Sequence, residues 1–286
     1  MSSREELNPV ALRSALVGTR FPARLHHFPT AESTNTLLLE AAANGAPEGT
    51  VYLADAQTQG RGRGGHTWHS SPGDGLYLSA LAKPRLPLRE ALWISLATGL
   101  AVQSAIKTVT GLDIDIRWPN DLILPQPSGP GKKLGGILVE TAVDPGEDAL
   151  LRYAIIGIGV NINHESFPPE LAPIATSLRI ATGEPQSRNA LMIAILRALD
   201  LELTQLEAHQ PSLPAQQPDL LTRFTAASTW VRGKRVQVPE QGGYTGTTAG
   251  LDHNGYLLVD ADDHTQRTVL SGGVREEPSP ISSPHS

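Results

Sequence analysis

Residues 57–79, QTQGRGRGGHTWHSSPGDGLYLS, carry glycines and arginines at a spacing that could bind an anion. Glycines at this density let the backbone adopt positive φ angles and approach a ligand closely. Arg61 and Arg63 add planar, permanently charged groups that suit carboxylate and phosphate oxygens. A solvated basic turn is the simpler interpretation. The combination favours a loop that folds over an anionic ligand and rests on a strand at residues 76–81.

Three small polar residues, Ser33, Thr34 and Asn35, precede an apolar run at residues 37–43. Ser33 or Thr34 is a suitable N-cap for a helix there, and the Asn-Gly pair at residues 44–45 is a suitable end. Capping accounts for only one of the hydroxyl groups. The other polar groups could face a ligand at the helix N-terminus.

A lysine pair opens a strand at residues 132–140, KKLGGILVE. The lysine pair resembles the end of a phosphate-binding P-loop only superficially, because Lys133 stands where that motif requires Ser or Thr. The run GIGVN at residues 157–161 lacks the third glycine of a dinucleotide fingerprint. Glycines inside a strand do indicate close approach of a ligand or another backbone.

The sequence WPND at residues 118–121 follows a predicted strand at residues 114–117. Asn120 and Asp121 could be turn residues alone. We expect Trp118 to lie in the core rather than against a ligand.

Apolar periodicity positions these motifs on helices and strands. Because the strands follow one another in hairpin-like order, we expect a mixed sheet with helices on one face rather than a doubly wound fold. Helices are predicted at residues 5–17, 37–43, 90–108, 187–207 and 219–225, and strands at residues 51–54, 76–81, 114–117, 132–140 and 153–162.

The pattern changes after a Pro/Gln-rich linker at residues 210–217. From Trp230 onward, short alternating strands flank an Asn-Gly hairpin turn at residues 254–255, which predicts a small antiparallel barrel. The serines and prolines near the end predict a disordered tail. We therefore expect a catalytic domain at residues 1–227, a barrel at 228–275 and a disordered tail at 276–286.

The composition is that of an ordinary globular protein: 286 residues, 40% hydrophobic and 18% charged. The net charge of −6 argues against general nucleic-acid binding. With no cysteine, disulfides, thiolate nucleophiles and cysteine-type zinc sites are excluded. No signal peptide or long apolar run is evident, so we expect a cytoplasmic protein without a membrane segment. Three histidines are expected in loops, without a metal: His66, His69 and His164.

Six motifs in chain order resemble those of biotin–protein ligases, and the later barrel resembles the family's SH3-like C-terminal domain. The likeness is to the short type without an N-terminal DNA-binding domain, because only about thirty residues precede the first motif. The motifs are Ser33-Thr34-Asn35, Gln57 with Gly60-Arg61-Gly62-Arg63-Gly64 and Trp68, Leu76-Tyr77, Arg117-Trp118-Pro119-Asn120-Asp121, residues 133–140 and residues 157–161.

The resemblance implies an α+β fold, with a class II synthetase-like biotin/lipoate ligase catalytic domain and a small SH3-like β-barrel. It implies that biotin and Mg·ATP form biotinyl-5′-AMP, and that the biotinyl group then passes to one lysine of a carboxylase's biotin carrier domain. The expected ligands are biotin, ATP and Mg²⁺. The expected partner is a biotin carboxyl carrier protein, with no DNA, no membrane and a possible homodimer.

The resemblance also implies roles for individual residues. Lys133 would bridge the biotin carboxylate and the α-phosphate, and Arg63 would close the loop over the intermediate. Asp121 would also serve Mg²⁺ bound to the ATP phosphates. The biotin site would comprise Ser33, Thr34, Asn35, Gln57, Gly60, Arg61, Gly135 and Gly136. The nucleotide site would comprise Arg63, Trp68, Asn120, Asp121, Lys133 and Asn161.

Two alternatives stay open at this level. One is a lipoate or octanoyl ligase or transferase of the same fold, against which the glycine–arginine loop and WPND argue. The other is a non-catalytic biotin sensor or a transcriptional repressor. The complete loop and Lys133 oppose a loss of catalysis, and the expected lack of a helix-turn-helix opposes repression. The family often carries further basic residues after the second loop arginine, where this chain has the sequence GGH at residues 64–66.

Overall fold

The structure is a computed structural model that describes residues 5–146, 149–208, 219–240 and 242–277. The predicted linker at residues 210–217 and the chain beyond residue 277 lie outside the described residues. A seven-stranded mixed sheet with helices precedes a five-stranded antiparallel sheet. The predicted α+β class is confirmed.

Seven strands form the large sheet: β1 (Leu25–Phe28), β2 (Val51–Ala54), β3 (Gly75–Ala82), β4 (Asp115–Arg117), β5 (Asp121–Leu124), β6 (Lys132–Val143) and β7 (Leu151–Asn161). Their order across the sheet is β1–β2–β3–β7–β6–β5–β4. β1 and β2 pair in parallel, and the other neighbours in this sheet pair antiparallel. Successive hairpins from β4 to β7 produce this order, because short connections place consecutive strands side by side.

The helices in the described residues are α1 (Pro9–Ala15), α2 (Thr34–Ala43), α3 (Ala91–Thr110), α4 (Leu178–Thr182), α5 (Arg188–Ala208) and α6 (Leu220–Ala227). The sequence predicts all of these except the five-residue α4. Ser33 caps α2 as expected, since its side chain accepts a hydrogen bond from the Thr36 backbone N–H. After α2, Gly45 adopts φ +89°, a conformation that favours glycine.

Helices cover both faces of the large sheet, so the prediction of helices on one face is wrong. Leu76 and Leu78 of β3 belong to the main core, which also contains buried residues of α3 and α5. Leu81, on the opposite face of the same strand, packs in a second cluster with Leu38 of α2. Side chains alternate along a strand, and every residue of β3 is buried, so both faces need a cover.

Helix α3 is the central helix of the main core. The segment Leu88–Thr110 is long and apolar enough to cross a membrane, but 61% of its apolar window is buried inside the molecule. It packs against α5 and against the sheet. This placement is that of a core helix.

The second sheet contains β8 (Arg232–Val238), β9 (Tyr244–Leu251), β10 (Leu257–Ala261), β11 (Gln266–Val269) and β12 (Arg275–Glu276), in the order β11–β10–β9–β8–β12. Gly255 has φ +88° in the turn between β9 and β10, as the Asn-Gly pair predicts. The barrel reaches further than expected, because β12 pairs with β8 and the Glu277 N–H donates to the Arg235 carbonyl. The predicted disorder from residue 276 is therefore wrong for residues 276–277.

The barrel packs directly on the large sheet. Trp118 is 2% exposed, which confirms its predicted core position, and its indole N–H donates to the Gly255 carbonyl at 2.9 Å. The Ser228 hydroxyl donates to the Ile116 carbonyl at 2.6 Å. These contacts bring the barrel next to the WPND sequence and hence next to the candidate site.

Candidate active site

A cavity opens on the face of the sheet that α2 partly covers. Its floor consists of three adjacent strands, in which Gly159 of β7 lies between Tyr77 of β3 and Gly136 of β6. One pair further along, Gly157 lies between Ser79 and Leu138. The predicted residues in its lining are Ser33, Thr34, Asn35, Gln57, Arg61, Arg63, Trp68, Asn120, Lys133 and Gly136.

The two β7 glycines explain how side chains reach this floor. A Cβ at Gly157 would overlap the Asn35 amide, and a Cβ at Gly159 would lie 2.7 Å from Trp68 Cε2. The sequence predicts close approach of a ligand or another backbone in this strand, whereas the structure places two side chains of the site there. Sequence reasoning noticed these glycines but gave them no role.

One end of the cavity is a buried network of neutral polar groups. The Ser79 hydroxyl lies 2.8 Å from Thr34 Oγ1 and 2.5 Å from Asn35 Oδ1. Gln57 Oε1 accepts from the Thr34 backbone N–H at 2.9 Å, and Gln57 Nε2 donates to Ser70 at 3.2 Å. Hydroxyl and amide groups fixed in this way can bind a neutral head group that both donates and accepts hydrogen bonds.

Glu140 of β6 connects this network to the glycine–arginine loop. Its carboxylate accepts two hydrogen bonds from Arg61, at 2.8 and 3.1 Å, and one from the Asn35 amide at 3.0 Å. The charge of Arg61 is therefore balanced within the protein. Sequence reasoning missed Glu140, although alternation along β6 places it on the same face as Gly136.

Lys133 is a cation of the lining, together with Arg61 and Arg63. Its ammonium lies 2.6 Å from Asp121 Oδ1 and 5.6 Å from the centroid of the Trp68 ring. Lys132, in contrast, donates to the Ala172 carbonyl at the surface. The structure therefore separates the two lysines: Lys133 lines the cavity and Lys132 does not.

Asp121 contacts Lys133 but is not part of the lining, and its side chain is 15% exposed. Burial alone would raise its pKa, but the charges and hydrogen bonds of Lys133 and Arg117 outweigh burial and lower the pKa below the usual 3.8. Arg117 bonds Oδ2 at 2.5 Å, so each carboxylate oxygen already has a cation. This geometry does not fit the predicted metal role. In the described part of the chain, no group of three or more acidic or histidine residues could hold a metal.

Two donors of the predicted nucleotide site are buried without a hydrogen-bond partner. These are the Arg63 Nη1 group and the Trp68 indole N–H, and both residues line the cavity. Burial lowers the pKa of Arg63, and the negative charges of Glu240 and Asp121 oppose that effect. Because unpaired buried donors are costly, their position in the lining indicates that a ligand supplies acceptors there.

Arg63 also contacts the barrel. A Cβ at Gly272, where φ is +82°, would lie 2.8 Å from Arg63 Nη1 and 3.2 Å from Pro119. The carboxylate of Glu240 accepts from the backbone N–H groups of Leu270 and Ser271, which fixes this turn. The barrel thus forms part of the wall around the loop arginine.

Three predicted site residues besides Asp121 lie outside the lining. A Cβ at Gly60 would meet the Trp68 carbonyl, so this glycine allows the loop to fold back on itself. Gly135 faces Leu122 and the main core. The Asn161 amide is buried and donates to the Thr176 carbonyl, which places it in a loop contact rather than against a nucleotide.

His164 is a loop residue, as expected, but it is only 2% exposed. Its ring stacks on Phe167 with the centroids 4.9 Å apart. His69 lies further away, with its ring centroid 6.0 Å from that of His164.

Comparison with known families gives two matches in chain order. Residues 27–161 match the "Biotin/lipoate A/B protein ligase family", and residues 232–274 match the "Biotin protein ligase C terminal domain". The first match contains the cavity, and the second contains most of the barrel.

Curated relatives and solved structures agree with these matches. The bifunctional ligase/repressor BirA of Bacillus spizizenii is 36% identical over 235 residues, which cover 81% of this chain and 67% of that protein. The biotin–[acetyl-CoA-carboxylase] ligase of Mycobacterium tuberculosis is 31% identical and aligns over 96% of this chain and 98% of its own length. The biotin protein ligase of Aquifex aeolicus in complex with biotin and ATP has a TM-score of 0.71 and 28% identity, over 89% of this chain and all of that one. Together with the motifs and the cavity, these likenesses establish that the chain belongs to the biotin protein ligase family.

Proposed function

We propose that this protein is an ATP-dependent ligase that attaches biotin to a lysine of a biotin carboxyl carrier protein. In the first step a biotin carboxylate oxygen attacks the α-phosphorus of ATP, the bond to the β-phosphate breaks, and pyrophosphate leaves. In the second step the neutral amine of the carrier lysine attacks the acyl carbon of biotinyl-5′-AMP. An amide bond forms, the amine gives up one proton, the bond to the phosphate oxygen breaks, and AMP leaves.

One observation carries this proposal: a neutral polar network and a set of cationic or unpaired donors line the same cavity. The buried end at Ser33, Thr34, Asn35 and Gln57 suits the uncharged ureido head of biotin. The end with Lys133, Arg63 and Trp68 suits a carboxylate meeting a phosphate, where negative charges must be brought together.

Lys133 holds a positive charge where the carboxylate and the α-phosphate would meet, and Arg63 covers the product from the loop. Asn120 lines the same region. Its side-chain amide donates to the Ile137 carbonyl at 3.0 Å, which holds β6 just beyond the last residue that pairs with β5. We assign Asp121 and Asn161 supporting roles. Magnesium is expected to arrive with the ATP phosphates, because both Asp121 oxygens already have cationic partners.

We further propose that a catalytic domain up to residue 227 acts together with the barrel that follows it. The acceptor would be the carrier domain of a carboxylase, consistent with the name of the mycobacterial relative. β5 pairs with β6 only as far as Gly136, and Asn120 bonds both backbone groups of Ile137. The part of β6 beyond Ile137 is therefore the edge that we propose for a carrier or for a second copy of this chain. We also propose that the protein acts in the cytoplasm and does not bind operator DNA. The net charge of −6 argues against general nucleic-acid binding.

The decisive test is incubation of the protein with labelled biotin, ATP, Mg²⁺ and a purified carrier domain. Mass spectrometry should show one biotinyl group on a single carrier lysine, with one pyrophosphate released per turnover. A parallel reaction with lipoate or octanoate should give little product. Preferred transfer of lipoate or octanoate, or biotin binding without pyrophosphate release, would reject the proposal in favour of the other two functions.

A further inference from the structure

We infer that Asp121 and Arg117 are positioning residues for Lys133, and that Trp230 of the barrel holds Arg117 in place. The inference deepens the proposed function and rests on it. It links the catalytic lysine to the barrel through side chains that the reaction scheme does not otherwise use.

The first contact is a carboxylate shared between two cations. Lys133 Nζ lies 2.6 Å from one Asp121 oxygen, while Arg117 lies 2.5 and 3.1 Å from the other. The Asp121 side chain is 15% exposed, so solvent weakens these interactions less than at the surface. An ammonium on a flexible four-carbon stem has many orientations, and Asp121 restricts them.

The shared charge also explains why Lys133 can still act on a ligand. Two cations and one carboxylate leave a net charge of +1 on the group. Without Arg117, Asp121 would neutralise Lys133 alone, and the attraction for a carboxylate or phosphate would fall. Because Arg117 offsets the charge of Asp121, Asp121 can orient Lys133 without cancelling its positive charge.

The second contact is the face of Trp230, which is 7% exposed. The guanidinium carbon of Arg117 lies 5.5 Å from the ring centroid, and Lys234 Nζ lies 5.1 Å from the same centroid. A cation near an aromatic face within about 6 Å is attracted by it. Trp230 lies just before β8, so displacement of the barrel would move the surface on which Arg117 rests.

The test is a set of double-mutant cycles on the full chain, read as the single-turnover rate of pyrophosphate release. Asp121→Asn and Arg117→Met should each slow this step about tenfold or more when Lys133 is present. In a Lys133→Ala background, each should change the rate less than about twofold, because residues that act through one group are not additive. Biotin affinity and melting temperature are measured for every variant. Equal fold losses in both backgrounds would overturn the inference.

The barrel contact needs its own variants. Trp230→Leu should slow pyrophosphate release about threefold or more, while Trp230→Phe, which keeps an aromatic face, should restore most of the rate. Lys234→Met is the matched control, because Lys234 lies against the same ring but does not contact Asp121. The rate of pyrophosphate release of this variant should stay within about twofold of that of the unmutated protein. Equal losses for Leu and Phe, or a loss for Lys234→Met as large as that for Trp230→Leu, would contradict the role of Trp230.

The proposed function and the role of Asp121 and Arg117 can fail separately. If the unmutated protein releases no pyrophosphate, the proposed function fails and the inference fails with it. If it releases pyrophosphate and the cycles are additive, only the inference fails.

Discussion

At the scale of single residues, the two neighbouring lysines give the sharpest contrast. Lys133 points into the cavity lining and pairs with Asp121, whereas Lys132 bonds a surface carbonyl. Lys133→Ala should reduce the rate of pyrophosphate release about 100-fold, or about 3 kcal/mol, because a fixed cation near the reacting oxygens is lost. The two half-reactions are measured separately, and transfer from pre-made biotinyl-AMP should suffer less.

Lys132→Ala serves as the control for that substitution and should leave both half-reactions nearly unchanged. Lys133→Arg should not fully restore the rate, since a planar guanidinium differs in shape from a compact ammonium. Equal damage from both alanine variants, or an unaffected adenylation rate in Lys133→Ala, would remove Lys133 from the mechanism.

Asp121 gives a prediction about acid stability. Lys133 and Arg117 lower the pKa of the Asp121 carboxyl below 3.8 in the folded protein. The ionised carboxylate therefore stabilises the fold above pH 3.8, and this stabilisation is lost as the pH falls through the lower pKa of the folded state. Asp121→Asn should lower that free energy by about 1–3 kcal/mol at pH 7, a range reduced because Lys133 is partly exposed.

The measurement is urea unfolding of both proteins from pH 7 down to about 3. The difference between them should be constant down to about pH 5 and should shrink below about pH 4. A difference that does not depend on pH would mean that packing, rather than charge, accounts for the loss.

At the scale of elements, the glycine–arginine loop is a small hairpin. The Gly62 N–H donates to the His66 carbonyl at 2.7 Å, and the Trp68 N–H donates to the Gly60 carbonyl at 2.8 Å. Several glycines make this ordered form entropically costly, so an anionic ligand is expected to stabilise it. Arg63→Gly should still form biotinyl-AMP but release it, which would label bystander lysines.

Proteomic mass spectrometry of mixed acceptor proteins measures this release. The unmutated protein should label the carrier lysine alone. If Arg63→Gly also labels only that lysine, at the unmutated rate, the loop does not retain the intermediate.

The paired glycines of β6 and β7 give a prediction about the sheet itself. A Cβ at Gly159 would lie 2.7 Å from the Trp68 ring, whereas a Cβ at its cross-strand partner Gly136 would lie 3.4 Å from the same ring, an ordinary contact. Gly159→Ala should therefore displace the indole and weaken binding of biotinyl-5′-AMP about tenfold or more, through about 1–3 kcal/mol of overpacking. Gly136→Ala should weaken it less than about threefold, as calorimetry can measure. Equal effects from the two would show that steric displacement of Trp68 is not the cause.

At the scale of the whole molecule, the barrel and the large sheet share one buried interface. Trp118→Phe keeps an aromatic ring there but removes the indole donor and leaves the buried Gly255 carbonyl without it. We expect a loss of about 1–3 kcal/mol in the free energy of unfolding. Lys107→Ala, which removes an exposed ion pair with Asp113, is the control and should cost less than about 1 kcal/mol. Denaturant melts of both variants measure this, and similar losses would mean that the interface bond adds nothing.

The sequence by itself determined the order of the motifs, the α+β class and most of the elements. These features follow from local physics: Ser33 caps α2, apolar periodicity gives α3 and α5, and the turn at Gly255 gives the β9–β10 hairpin. The resemblance of the motifs to those of the family also predicted most of the lining residues, because these motifs have a fixed place in the family's fold. Caps, apolar periodicity and turns are local, so they do not depend on which distant residues meet.

Only the tertiary structure decided which charges pair. Glu140 neutralises Arg61, and Asp121 lies between Lys133 and Arg117 instead of facing a metal. Strand register and hairpin geometry set these partners, and a shift of one residue would turn each side chain to the opposite face.

The same reason accounts for three further features that the sequence does not predict. Asn161 turns to the Thr176 carbonyl, α2 covers the face opposite α3, and Gly272 of the barrel reaches Arg63. Each of these depends on residues far apart in the chain, whose approach is fixed by the packing of the two sheets and their helices. Residue types could name the candidates for the site, but three-dimensional packing determined which of them face the ligand and which hold the others in place.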